Sequence, residues 1–119
     1  MMETVITKRH GPVLLVQMNR PERLNALGVQ LRTELAEAFT ELRDDPDLEV
    51  GVYTGTGRAF CAGEDMKESI RAGAPGLGGA VPANPFMNGT LAKPVIAAIN
   101  GFAMGGGFAL VERTDLRVA

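Results

Sequence analysis

The stretch Asn100–Arg113, "NGFAMGGGFALVER", sets three consecutive glycines, Gly105 to Gly107, between an apolar run and a helix-like segment. Glycine costs roughly 1 kcal/mol against alanine inside a helix, so bare backbone here serves something other than helix stability. N–H groups in the first turn of a helix lack intrahelical partners and sit at the positive end of the helix dipole. Glycine lets a ligand come close and supplies unusual backbone angles. The same design, a strand end, a glycine turn and a helix start, occurs in "FCAGEDMKE", Phe60–Glu68. Brought together, two such turns offer two N–H donors to one oxygen, the geometry of an oxyanion hole for an enolate or a tetrahedral centre. A tightly packed turn without a ligand is the plain alternative for each. A phosphate cradle is a third reading, but its patterns are absent: "GTGRAF" breaks G-x-G-x-x-G at its last position and no G-x-x-x-x-G-K-[ST] occurs. Ser69, the only serine, lacks the flanking glycines of a hydrolase elbow.

Working outward, "KPVIAAING" before the triplet is a continuous apolar run and reads as a strand buried on both faces. Phe108 to Arg113 starts a helix, and "DLRVA" after it reads as another buried strand. Upstream, residues 73 to 90 hold five glycines and three prolines, a composition that predicts a mobile loop without regular structure. Glu64 to Arg71 is polar enough for a short helix, and Val50, Val52 and Thr54 alternate with Gly51 and Tyr53 as in a strand. Leu27, Leu31, Leu35, Ala38, Phe39 and Leu42 recur at helical spacing, with Asn25 as the expected N-cap and "DDP" at Asp44–Pro46 as the stop. "ETVITKRHGPVLLVQMNRP" reads as two strands about a Gly-Pro turn. The order is β-β-α, then β-α, then β-α-β, an α/β pattern without a clean internal sequence repeat.

The chain has 119 residues, enough for one small domain at most, with an ordinary globular balance of 45% hydrophobic and 22% charged residues. Its net charge of −2 is interspersed, and with few aromatics it argues against nucleic-acid binding. Cys61 and His10 are each alone of their kind, so an internal disulfide is excluded and a structural zinc site is not expected. The charged N-terminus lacks the apolar core of a signal peptide, and no apolar run reaches the length of a membrane span. A soluble, cytoplasmic setting without membrane contact is the expectation.

Four blocks in order, "NRPERLNAL", "YTGTGRAFCAGEDMKE", "KPVIAAINGFAMGGGFAL" and "DLRVA", resemble the crotonase, or enoyl-CoA hydratase/isomerase, superfamily. The likeness covers about Val13 to Ala119. It implies a spiral of ββα repeats, with residues 1–119 forming the N-terminal part of one crotonase-like domain. It implies an acyl-CoA thioester substrate, no separate cofactor, and lyase or isomerase chemistry. A full-length member is implied to be a homo-oligomer, a trimer or hexamer. Carried over by position, the oxyanion donors are the backbone N–H groups of Glu64, after Gly63, and Gly106, after Gly105. Arg23, Leu24 and Ala26 resemble the segment along the CoA. Ala62, Asp65, Met66 and Lys67 resemble the wall near its adenine and pantetheine.

The chain departs from the pattern at one position. Family hydratases carry a glutamate two residues after the triplet, where this chain has Ala109. Glu112 is three residues on and reads as solvated or ion-paired. The second carboxylate is expected beyond Ala119, which makes the chain resemble the N-terminal half of a family member. Two readings follow: an enzyme stabilising a thioester enolate, with isomerisation or other enolate chemistry favoured over hydration, or an inactive acyl-CoA-binding fragment or one half of a complemented protein.

Overall fold

The computed structural model describes residues 2–71 and 81–119. Its elements are β1 (Val5–His10), β2 (Val13–Met18), a 3-10 turn (Pro21–Arg23), α1 (Val29–Asp44), β3 (Val50–Gly55), β4 (Ala59–Cys61), α2 (Met66–Arg71), β5 (Val95–Ala98), β6 (Phe102–Ala103), α3 (Gly106–Arg113) and β7 (Leu116–Val118).

The five-stranded sheet runs β1-β2-β3-β5-β7. β1 and β2 form an antiparallel hairpin about Gly11, whose φ of 59° suits the first central position of a tight turn. The remaining pairs are parallel, so each needs a crossover. α1 is the crossover from β2 to β3, and α3 the one from β5 to β7. Along β2 the alternation puts Leu14, Val16 and Met18 fully inside. Leu31, Leu35, Ala38, Phe39 and Leu42 of α1 meet them, each buried side chain of the Leu or Phe kind contributing about 1.5–3 kcal/mol. The ring of Phe39 stands edge-on to Tyr53 at 5.1 Å and stacks on Phe86 at 4.8 Å, and Tyr53 meets Phe60 at 5.3 Å.

One carboxylate ties the hairpin to α1. Glu34 is buried, and its Oε1 accepts the backbone N–H groups of Glu3, Thr4 and Val5 at 2.8, 2.8 and 3.2 Å. Burial pushes its carboxyl up, but the N–H donors and Gln30 outweigh this and hold it below its ordinary value. At the other end, Lys93 Nζ donates to the carbonyls of Leu42 and Asp45, closing α1 where "DDP" stops it.

Several sequence readings need correction. Asn25 is not the N-cap of α1: the cap position is Gly28, without a side-chain cap bond, and the Val29 N–H donates instead to Glu68 Oε1 at 2.7 Å. "KPVIAAING" yields a four-residue strand buried on one face only, through Val95 and Ala97, with Ile96 and Ala98 half-buried. β7 is exposed along its length and ends the order of the sheet, paired with β5 on one side only. α3 starts at Gly106, two residues before the expected Phe108. The segment after β3 contains a further short strand, β4, which pairs in parallel with β6 as a second, two-stranded sheet. Of the segment read as a loop, residues 73–80 lie outside the described residues, while Pro85 and Phe86 are packed into the core. Among the described residues no helix is long and apolar enough to cross a membrane.

Candidate active site

The small sheet places the site. β4 leads into Ala62–Gly63–Glu64, and β6 into the glycine triplet, so pairing β4 with β6 sets the two turns side by side. Leu24–Leu27 flanks the first turn on its other edge. Leu24 and Asn25 are both left-handed, with φ of 54° and 57°. The Ala62 N–H donates to Leu24 O at 3.0 Å, Leu27 N–H to Gly63 O at 2.7 Å, and Asp65 N–H to Leu27 O at 3.0 Å. Gly63 and Asp65 thus face Leu27 with their backbone groups. The Glu64 N–H takes no part in this pairing with Leu27. A Cβ placed on Gly106 would lie 3.8 Å from Glu64 N, and one placed on Gly63 would lie 3.3 Å from Gly106 N. Among the described residues neither N–H has a hydrogen-bond partner.

The three glycines have three separate reasons. Gly105 has φ 53° and ψ −120°, a conformation that side chains strongly disfavour. Gly106 is open: a Cβ there would make only ordinary contacts, with Leu27 Cδ1 at 3.6 Å and with Glu64 N and Gly63 Cα at 3.8 Å. Gly107 is jammed, since a Cβ would collide with the Cys61 carbonyl. Gly63 combines φ 98° with a Cβ direction blocked by Met104 O at 2.8 Å.

Charge behind the turns is satisfied internally. Asp65 is buried and ion-paired to Arg20 at 2.8 Å and to Arg23 at 3.3 Å, and its Oδ1 accepts the Glu68 N–H at the start of α2. Burial pushes this carboxyl up, yet the Glu68 N–H and Arg20 hold it below its ordinary value. Arg20 also donates to Ala26 O at 2.9 Å, fixing the segment expected along the CoA. Asn25 is fully buried: its Nδ2 donates to the carbonyls of Thr56, Ala59 and Phe60, and its Oδ1 accepts the Arg20 N–H.

The residues singled out in the sequence lie in or beside the two turns, with Ala26, Gly63 and Asp65 buried. Leu24 and Ala26 adjoin Ala62 and Gly63, Arg23 reaches Asp65, and Met66 and Lys67 stand exposed on the first turn of α2. The Asp65 carboxylate faces its arginines rather than open space. Ala109 is exposed on α3 in the first turn after Gly106, and Glu112 is exposed with no ion pair among the described residues. The parts that Arg20, Asn25, Leu27 and Cys61 play at these turns escaped the sequence reading. Their roles depend on contacts with residues about 35–45 positions away or on turn geometry, and spacing carries no signal of either.

The family Enoyl-CoA hydratase/isomerase matches residues 8–119. A carnitinyl-CoA dehydratase of Citrobacter koseri is 41% identical over 99% of this chain and 46% of its own length. An (E)-benzylidenesuccinyl-CoA hydratase of Thauera aromatica is 42% identical over 90% of this chain and 43% of its own. Among solved structures, an enoyl-CoA hydratase from Mycobacterium marinum superposes with a TM-score of 0.86 at 35% identity, over 98% of this chain and 45% of that one. A carnitinyl-CoA dehydratase from Mycobacterium avium gives 0.82 at 34%, over 98% and 46%. The chain therefore spans under half the length of these relatives. Two glycine turns set edge to edge by one small sheet, and matches over nearly every residue, place the chain in the enoyl-CoA hydratase/isomerase family, the crotonase superfamily.

Proposed function

We propose that this chain binds an acyl-CoA thioester and holds its carbonyl oxygen between the N–H groups of Glu64 and Gly106, stabilising the enolate formed when the α-proton leaves. The observation that carries this reading is the closeness of the two turns at Gly106, where a Cβ would lie 3.8 Å from Glu64 N, with neither N–H partnered among the described residues. Negative charge grows on the thioester oxygen as the α-carbon loses its proton, and donors already fixed by backbone need no reorganisation to receive it. The N-terminus of α3 adds its positive dipole end at the same point. The CoA moiety lies along Arg23, Leu24 and Ala26 and against Ala62, Asp65, Met66 and Lys67. The named activities of the relatives, a dehydratase and a hydratase acting on CoA esters, support the substrate class.

Ala109 shapes the chemistry. It stands where family hydratases carry a glutamate, and a methyl group neither positions water nor moves a proton. The donors do not depend on it, so enolate formation by one carboxylate supplied elsewhere in a longer chain remains open, and isomerisation or α-proton exchange is favoured over hydration.

Gly106→Pro tests the assignment. Position 106 is the first residue of α3, where proline is well tolerated, and it removes the N–H without removing a helix bond. Loss of one oxyanion donor costs about 10²–10³ in rate. In a chain continued with the remaining length of a relative, α-proton exchange of a saturated acyl-CoA is expected to fall by that factor. Undiminished exchange in Gly106→Pro contradicts the assignment.

A further inference from the structure

Cys61 is the point where the two donor turns touch the same residue. Its side chain is fully buried. Its thiol donates to Asn25 O at 3.1 Å, and its Sγ accepts the Gly63 N–H at 3.5 Å. Its backbone carbonyl accepts the Met104 N–H at 3.1 Å, and that carbonyl is the surface on which bare Gly107 rests. One residue thus touches the peptide that precedes the first donor's, and also Met104 and Gly107, which bracket the second. Burial pushes the thiol above its ordinary range, so at neutral pH it stays S–H and keeps its donor role.

We propose that Cys61 is a positioning residue: its thiol holds the Ala62–Gly63 peptide, the one directly before the peptide of the Glu64 N–H, so that the Glu64 N–H and the Gly106 N–H converge on one oxygen. The inference rests on the oxyanion reading above. The side chain never meets the substrate; it acts through the Gly63 N–H and the Asn25 carbonyl. An apolar side chain at 61 leaves both buried groups unpaired and releases the Ala62–Gly63 peptide from its side-chain contact, while the Gly63 carbonyl keeps the Leu27 N–H. Serine offers a donor and an acceptor on the same Cβ and is the conservative replacement.

The experiment compares the whole chain with Cys61→Ala and Cys61→Ser, each bound to crotonyl-CoA labelled with ¹³C at the thioester carbonyl. The downfield carbonyl shift reads polarisation of the oxygen, and affinity for CoA without an acyl group reads general integrity of the site. The expected result is a shift in the unmodified chain, reduced by about half or more in Cys61→Ala and restored in Cys61→Ser. CoA affinity is expected to hold within about twofold in all three. A shift retained in full by Cys61→Ala overturns the role of Cys61 and leaves the oxyanion reading standing. No shift in the unmodified chain with bound ligand overturns both. If Cys61→Ala does not fold, Cys61→Val, which fills the volume but accepts no hydrogen bond, carries the same comparison: a lost shift supports the proposal and a full shift overturns it.

Discussion

Gly106 and Gly107 are neighbours, yet a methyl group has opposite consequences at the two. At Gly107 it meets the Cys61 backbone carbonyl, which cannot rotate away as a side chain does. Overpacking of this kind typically costs about 1–3 kcal/mol, more than the roughly 1 kcal/mol of helix propensity that alanine returns. Gly107→Ala is therefore expected to lower the urea midpoint clearly, whereas Gly106→Ala leaves it unchanged or slightly raised while its methyl group crowds the thioester site. Equal midpoints for the two variants would contradict the packing described. At Ala109 the expected change is chemical. In a chain continued with the remaining length of a relative, Ala109→Glu is expected to raise crotonyl-CoA hydration, followed by absorbance, with α-proton exchange little changed. Efficient hydration before that substitution would assign the missing base to another group, with Glu112, three residues on, the first to test.

The elements are held by contacts of different reach, and their legibility follows from that. α1 is readable because its apolar face repeats over sixteen residues. Its start is not, because the first N–H is met by Glu68 from α2 and not by a neighbouring cap. β4 and β6 have three and two residues, too few for any periodicity to show. The two glycine turns were legible because glycine stands out at a strand-to-helix junction. Their adjacency was not, since it is made by the pairing of those two short strands. The hairpin–helix joint at Glu34 gives an element-level prediction. Glu34→Ala leaves three N–H groups without their acceptor, and loss of a buried partner costs about 1–3 kcal/mol. Glu34 and Asp65 both titrate below their ordinary values in the folded chain. The unfolded chain therefore binds more protons near pH 4. The stability these groups confer is whole above the ordinary carboxylate range and is lost as the pH falls through their lowered native values. Urea midpoints taken from pH 7 to pH 3 are expected to fall at the acid end, with a shallower fall in Glu34→Ala. A fall as steep in the variant as in the parent would remove Glu34 from the account.

At the scale of the whole molecule, apolar side chains stand in solvent along β6, the glycine turn, α3 and β7: Phe102, Met104, Phe108, Leu116 and Val118 are 42–63% exposed. β7 also ends the order of the sheet, and an apolar edge strand is a template for pairing with another chain. Residues 1–119 alone are expected to self-associate as concentration rises, read by light scattering with a dye for exposed apolar surface. A monomer at high concentration that binds no dye would contradict this. That surface adjoins the donor turns, so the geometry of the turns themselves is the feature to examine in a complex. The most direct measurement is the crystal structure of an acyl-CoA complex of a chain carrying these residues. The expected result places the thioester oxygen within hydrogen-bond distance, ~3 Å, of both Glu64 N and Gly106 N; a bound acyl-CoA whose carbonyl oxygen lies away from either nitrogen would contradict the oxyanion hole.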